Sequence, residues 1–134
     1  MNGPQRVWPH RIAIGALWTV TVLEAAGMGL AGWSKFANPA GWSGMFVNWG
    51  YPAWFAFVIG ASEMAGAALL LIPALATYAA AGLAVIMVGA LGTVIAHDSP
   101  LGVAAPIANL VAVTIVGVAR RRRRWKPGGK QAPD

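Results

Sequence analysis

The chain has 134 residues, of which 57% are hydrophobic and 10% charged, with a mean hydropathy of +0.60. Soluble domains carry about 25% charged residues, so this balance excludes an ordinary soluble domain and indicates one integral membrane unit. Cysteine is absent, which excludes a disulfide, a thiolate metal site or a thiol redox step carried by the chain itself, and most of the net charge of +6 sits at one end, in Arg120 to Arg124, Lys126 and Lys130.

Residues 1–11 form a short basic segment with Arg6, His10 and Arg11. The apolar run that follows, Ile12 to Trp33, exceeds the roughly 7 to 15 residues of a signal-peptide core, so it reads as a first spanning helix. Thr21, Glu24, Gly27 or Met28, and Ala31 make a polar and small-residue stripe on it at helical spacing. From Ser34 to Tyr51 the chain is too interrupted by Gly and Pro to span. Trp42, Met45, Phe46 and Trp49 recur there at i, i+3, i+4 and i+7, which predicts a short amphipathic helix in the membrane plane, flanked by Trp33 and Trp54.

Pro52 sits ahead of a second span, Trp54 to Ile72, as expected of a first-turn proline. Near its middle stands Glu63. A charged group at that depth costs roughly 2.5 to 3.5 kcal/mol, so it is expected to face protein and to have a function or a partner. Gly60, Glu63 and Gly66 or Ala67 share a stripe of small residues on which a second helix can lie close.

The tight connection Pro73 to Thr77 predicts an antiparallel hairpin with a third helix, Tyr78 to Ala96, whose face of Gly82, Ile86, Gly89, Thr93 and His97 is small and weakly polar. His97, Asp98, Ser99 and Pro100 make the next turn. A fourth helix, Leu101 to Ala119, carries Asn109 as its one strong hydrogen-bonding side chain, and the tail, Arg120 to Asp134, is expected to be disordered beyond its first turn. The positive-inside rule places both basic ends on the cytoplasmic side, which four spans satisfy. The arginine run thus orients the chain and attracts acidic lipid; it is no nucleic-acid site. Gly29, Gly32 and Pro39 against Gly89, Gly92 and Pro100 form a faint internal echo.

The stretches GMGLAGWSKF, IGASEMAGAALLL and GALGTVIAHD, carrying Lys35, Glu63 and His97, resemble the DoxX family of small four-helix bacterial membrane proteins, between Arg11 and Ala119. The resemblance implies a four-helix membrane fold and an association with membrane oxidoreductases, among them a thiosulfate and quinone oxidoreductase. The missing cysteine argues against direct thiol chemistry in this chain.

Against that background Glu63 reads either as a carboxyl that exchanges a proton with a quinol, or as a neutral acid hydrogen-bonded to Thr, Asn or a backbone carbonyl. Glu24 lies at similar depth; facing Glu63, it would share one proton with it. Lys35, about 16 Å beyond Glu24 along the helix, is expected at the outer interface with its ammonium snorkelling to the head groups. In the functional reading it joins His97 and Asp98 in a polar mouth for a small anion or a quinone head, with His97 exchanging protons. Trp42, Phe46 and Trp49 anchor the interface or offer a surface to a quinone ring. His10 and His97 fall on opposite faces, which excludes an intrachain bis-histidine haem, and no set of metal ligands, phosphate loop or nucleophile motif occurs.

The expected architecture is therefore all-α: an integral membrane four-helix bundle with an interfacial aromatic-rich segment between helices one and two, made of a cytoplasmic segment (1–11), a four-span unit (12–119) and a basic tail (120–134). The expected role is a small inner-membrane subunit of a quinone-linked oxidoreductase. Its catalytic residues are Glu63 and His97; Glu24, Lys35, Trp42, Trp49 and Asn109 contact quinone. A redox partner protein brings the electron-transferring cofactor, and homo-oligomerisation is left open. The alternative is a noncatalytic membrane carrier or scaffold for a small apolar or weakly acidic solute or a partner protein. Glu63→Gln is expected to fold, because the amide keeps the shape of the acid.

Overall fold

The computed structural model describes residues 8–97, 99 and 101–124, and among these all regular structure is helical. Five helices follow one another: α1 (Trp8–Ala37), α2 (Pro39–Asn48), α3 (Phe55–Leu70), α4 (Ala76–Ala96) and α5 (Ala104–Arg124). Of these, α1, α4 and α5 are long and apolar enough to cross a membrane. Helix α3 is apolar but has only 16 residues, about 24 Å, against the roughly 20 residues of a standard span.

The boundaries differ from the sequence reading for local reasons. Helix α1 starts earlier, at Trp8, and persists through Ala37, so Ser34 to Ala37 belong to it and not to the interfacial segment. It stops where Asn38 meets Pro39, since the residue before a proline is pushed out of the helical region. Asn38 then caps α2, its side-chain oxygen accepting from the Gly41 amide.

The second apolar stretch is helical over Phe55–Leu70 and not from Trp54 to Ile72. The Phe55 amide donates to the Pro52 carbonyl, so Pro52 belongs to the turn before the helix instead of its first turn. At the other end the Leu71 and Ile72 amides bond three residues back, a tightening that precedes Pro73. Helix α5 begins at Ala104, after a turn in which Gly102 has φ +70° and its amide bonds the Ser99 carbonyl. It runs on through Arg124, because arginine is a good helix former and the Arg124 Nη1 donates to the Ala74 carbonyl at 3.0 Å. The part of the tail from 120 to 124 is thus helical, and the rest of it lies outside the described residues.

Helix α1 packs on α3 and α5, α4 packs on the same two, and α2 leans on α1 and α3. Their shared core holds Leu17, Met28, Leu70, Leu83, Val113 and Val116. Helices α1 and α3 come closest where glycine faces glycine: a Cβ added at Gly32 would lie 2.5 Å from the Gly60 carbonyl oxygen. Small residues at such a crossing let backbones touch, and this is how membrane helices gain packing contacts without a hydrophobic drive. Ile12, Leu23, Leu30, Tyr78, Val85 and Ile95 point outward, each more than 60% exposed. A face of that kind suits lipid and would be a liability in water.

Candidate functional site

The glycine crossing sets up the site. Because α1 remains helical past Trp33, Lys35 falls on the same face as Met28 and Ala31, turned toward α3. Gly60 gives it room, since a Cβ there would meet the Lys35 Cβ at 3.1 Å. The lysine stem therefore lies along α3, and its Nζ donates to Glu63 Oε2 at 2.7 Å and to the Ala31 carbonyl at 3.2 Å. Both side chains of this ion pair are buried, 6% and 5% exposed. The Trp42 ring lies 4.5 Å from Nζ, a cation–π contact that roofs the pair.

This overturns the reading of Lys35 as a lysine that snorkels outward, and it replaces the neutral hydrogen-bonded acid with a paired one. The physical reason is the cost of each charge alone in an apolar interior: two of opposite sign at hydrogen-bond distance offset much of it. Glu63→Gln also looks different, for it would leave the Lys35 ammonium without its counter-charge.

The pair forms one wall of a cavity of about 520 Å³ between the helices at the α2 end. Trp42, Phe46, Trp49, Tyr51 and Phe55 supply aromatic walls, with ring centroids 5.4 to 6.0 Å apart among Phe46, Trp49, Tyr51 and Phe55. Asn109 lines it from α5, and a second polar contact joins the Tyr51 hydroxyl to Thr93 Oγ1 at 2.9 Å. Some of the lining faces outward: Val85 is 73% exposed and Leu101 48%. A cavity so bordered is open toward the lipid side as well as the bundle interior.

Of the residues singled out in the sequence, Glu63, Lys35, Trp42, Trp49 and Asn109 share this cavity. Glu24 does not. Lys35 Nζ holds the Glu63 carboxylate at the level of Ala31, seven residues or about 10 Å along α1 from Glu24. Among the described residues the Oε1 of Glu24 is buried without a hydrogen-bond partner, so the two acids stand apart and do not share a proton. His97 lies outside the cavity too. It is exposed at the end of α4, with Nδ1 2.9 Å from the Thr93 carbonyl and its ring 6.4 Å from Trp49, beside a separate groove under α2. The polar mouth of Lys35, His97 and Asp98 is thus not assembled: Lys35 is inside, His97 outside, and Asp98 falls outside the described residues.

Sequence reasoning missed Tyr51, Thr93 and Phe55 as members of the site, while Phe46, read with Trp42 and Trp49 as a surface for a quinone ring, does line it. Tyr51 is aimed inward by a Schellman turn at the end of α2: Gly50 has φ +83°, its amide bonds the Val47 carbonyl, and the Tyr51 amide bonds the Phe46 carbonyl. The glycine in Trp49-Gly50-Tyr51 was the available signal. For the ion pair the signal was stronger, since Lys35 is the only cation between Arg11 and Arg120 and a buried carboxylate needs one.

A model of the DoxX-like family matches residues 19–116, a segment that contains the glycine crossing, the ion pair and the cavity. The chain belongs to the DoxX-like family. Membership and the apolar helices together make this DoxX-like chain a small membrane protein. Comparisons with curated proteins and with solved structures gave no match.

Proposed function

We propose that this DoxX-like protein offers a quinone or quinol pocket as the small membrane subunit of a quinone-linked oxidoreductase in the bacterial inner membrane. The observation that carries the reading is the buried Lys35–Glu63 pair set in the wall of an aromatic cavity of about 520 Å³. Ligand pockets of about 300 to 1,000 Å³ with apolar walls and a few convergent polar groups are the common form of a small-molecule site. The residues fit a quinone: a flat ring meets Phe46, Trp49 and Phe55, and a lipid tail leaves past Val85.

Each side chain then has a task. Lys35 uses two of its three N–H donors on Glu63 and Ala31, which leaves one for a carbonyl oxygen of the head group. Glu63 accepts through Oε2, and its Oε1 is the position from which a proton is given or taken. Tyr51 and Asn109 present further hydrogen-bonding groups. Reduction of a quinone to a quinol takes two electrons and two protons, the electrons coming from a partner protein with its own redox cofactor. In this reading α3 is a fourth, short span, extended at both ends by its apolar turns, and both termini are cytoplasmic. The four-span unit covers 12–119.

The experiment is the quinone content of protein purified from native membranes in mild detergent. Near-stoichiometric quinone in the wild type, lost in the charge-neutral double variant Lys35→Met/Glu63→Gln, is the expected result. Quinone in neither protein, with solute flux in vesicles or no activity at all, would replace this reading with the noncatalytic carrier or scaffold.

A further inference from the structure

At the end of the bundle opposite α2, a second polar cluster has no part in the cavity. Arg120 is 7% exposed, yet its Nε and Nη2 have no hydrogen-bond partner among the described residues. These two nitrogens form one edge of the guanidinium, the edge whose parallel N–H groups match two oxygens of a phosphate or carboxylate. Thr77 Oγ1 is likewise buried and unpartnered. The antiparallel packing of α4 and α5 brings Ala80 against Gly117, where an added Cβ would lie 3.0 Å from the Ala80 Cβ, so three residues further along each helix Thr77 and Arg120 stand level. Trp18 of α1 covers the guanidinium, with its ring 4.3 Å from Cζ while remaining 37% exposed.

Buried polar groups in folded proteins are nearly always satisfied, so a guanidinium fork with no partner among the described residues calls for an acceptor from outside them. The surroundings say what. Thr77 lies in the first turn of α4 and Arg120 at the last apolar turn of α5, which is the level of the head groups. Arg121 to Arg124 are exposed around it, and Arg124 is otherwise engaged with the Ala74 carbonyl and the Tyr78 ring. The local charge is strongly positive, so a group with net negative charge is favoured over a zwitterion. We propose that Arg120 and Thr77 bind the phosphate of an anionic phospholipid, with Trp18 swinging aside to admit it and packing on its glycerol stem. Arg120 Nε and Nη2 donate to two phosphate oxygens and Thr77 Oγ1 donates to one of them. This site is independent of the quinone reading and survives its failure.

The test uses the full chain in nanodiscs of phosphatidylcholine with a minority of phosphatidylglycerol, read by native mass spectrometry of retained lipid. Wild-type protein retains phosphatidylglycerol above its share of the bilayer. Arg120→Gln lowers that retention about tenfold, as expected for losing a charge-assisted bidentate contact. Arg122→Gln removes the same charge from an exposed position and changes retention less than about twofold. If Arg120→Gln does not fold, Arg120→Lys, which keeps the charge and loses the fork, and Thr77→Val carry the test, each expected to lower retention. Equal losses in the Arg120 and Arg122 variants would reduce the effect to diffuse charge and overturn the site. No enrichment in the wild type would overturn it in favour of a bound water. Stabilisation by millimolar inorganic phosphate in pure phosphatidylcholine discs, without phosphatidylglycerol retention, would assign the fork to free phosphate and overturn the lipid proposal.

Discussion

Removing one member of the Lys35–Glu63 pair should be far worse than removing both. In each single variant, Lys35→Met or Glu63→Gln, a charge that is about 95% buried loses its counter-charge, and breaking such a pair costs about 3 to 5 kcal/mol. The double variant places no charge in the interior. Replacing a buried pair with uncharged groups of similar volume is commonly neutral or even stabilising, so its cost is expected within about 1 kcal/mol. Two independent losses would add to roughly 6 to 10 kcal/mol, and the double variant should fall short of that sum by several kcal/mol, beyond the few tenths by which unrelated sites deviate. The assay is reversible unfolding in mixed micelles for the four proteins of the cycle, with helicity by circular dichroism as the signal. Additive single effects would refute the reasoning, because they would mean that the two side chains do not share their charge in the folded protein.

Three further outcomes are expected. Gly32→Ala should lower stability by about 1 to 3 kcal/mol, because its Cβ would meet the Gly60 carbonyl at 2.5 Å, while Gly27→Ala, with nothing within 4 Å, should be neutral or better in thermal melts; equal melting temperatures for the two would remove the glycine crossing from the account. Tyr51→Phe should cost about 1 kcal/mol through the loss of its hydrogen bond to Thr93, and a Thr93→Val partner variant should add little to it, which a two-variant melting comparison will show. A reporter fused after Asp134 should be cytoplasmic, and an external reporter would remove the four-span topology from the proposal.

Much of this protein could be read from the chain alone, and the reason is that the membrane constrains it one residue at a time. Long apolar runs with basic ends announce helices and their orientation, and the i, i+3, i+4, i+7 spacing of Trp42, Met45, Phe46 and Trp49 announced α2, which the structure places at Pro39–Asn48. The stripe of Gly60, Glu63 and Ala67 was legible for the same reason, and all three are buried. Helix ends were less legible because they depend on single hydrogen bonds, as at Pro52 and Gly102. Partnership was legible only as a candidate: Lys35, the only Lys or Arg between Arg11 and Arg120, was the one basic side chain available to Glu63, but nothing in the chain said that they meet. Lys35 and Glu63 are 28 residues apart, and whether they meet depends on α1 staying helical past Trp33 and on two glycines letting α1 and α3 touch. The same holds for Tyr51 with Thr93, 42 residues apart. Sequence supplies the charges and the periodicity, but the phase of one helix against another is a property of packing, and only the tertiary structure decides which buried charge is paired and which is left open.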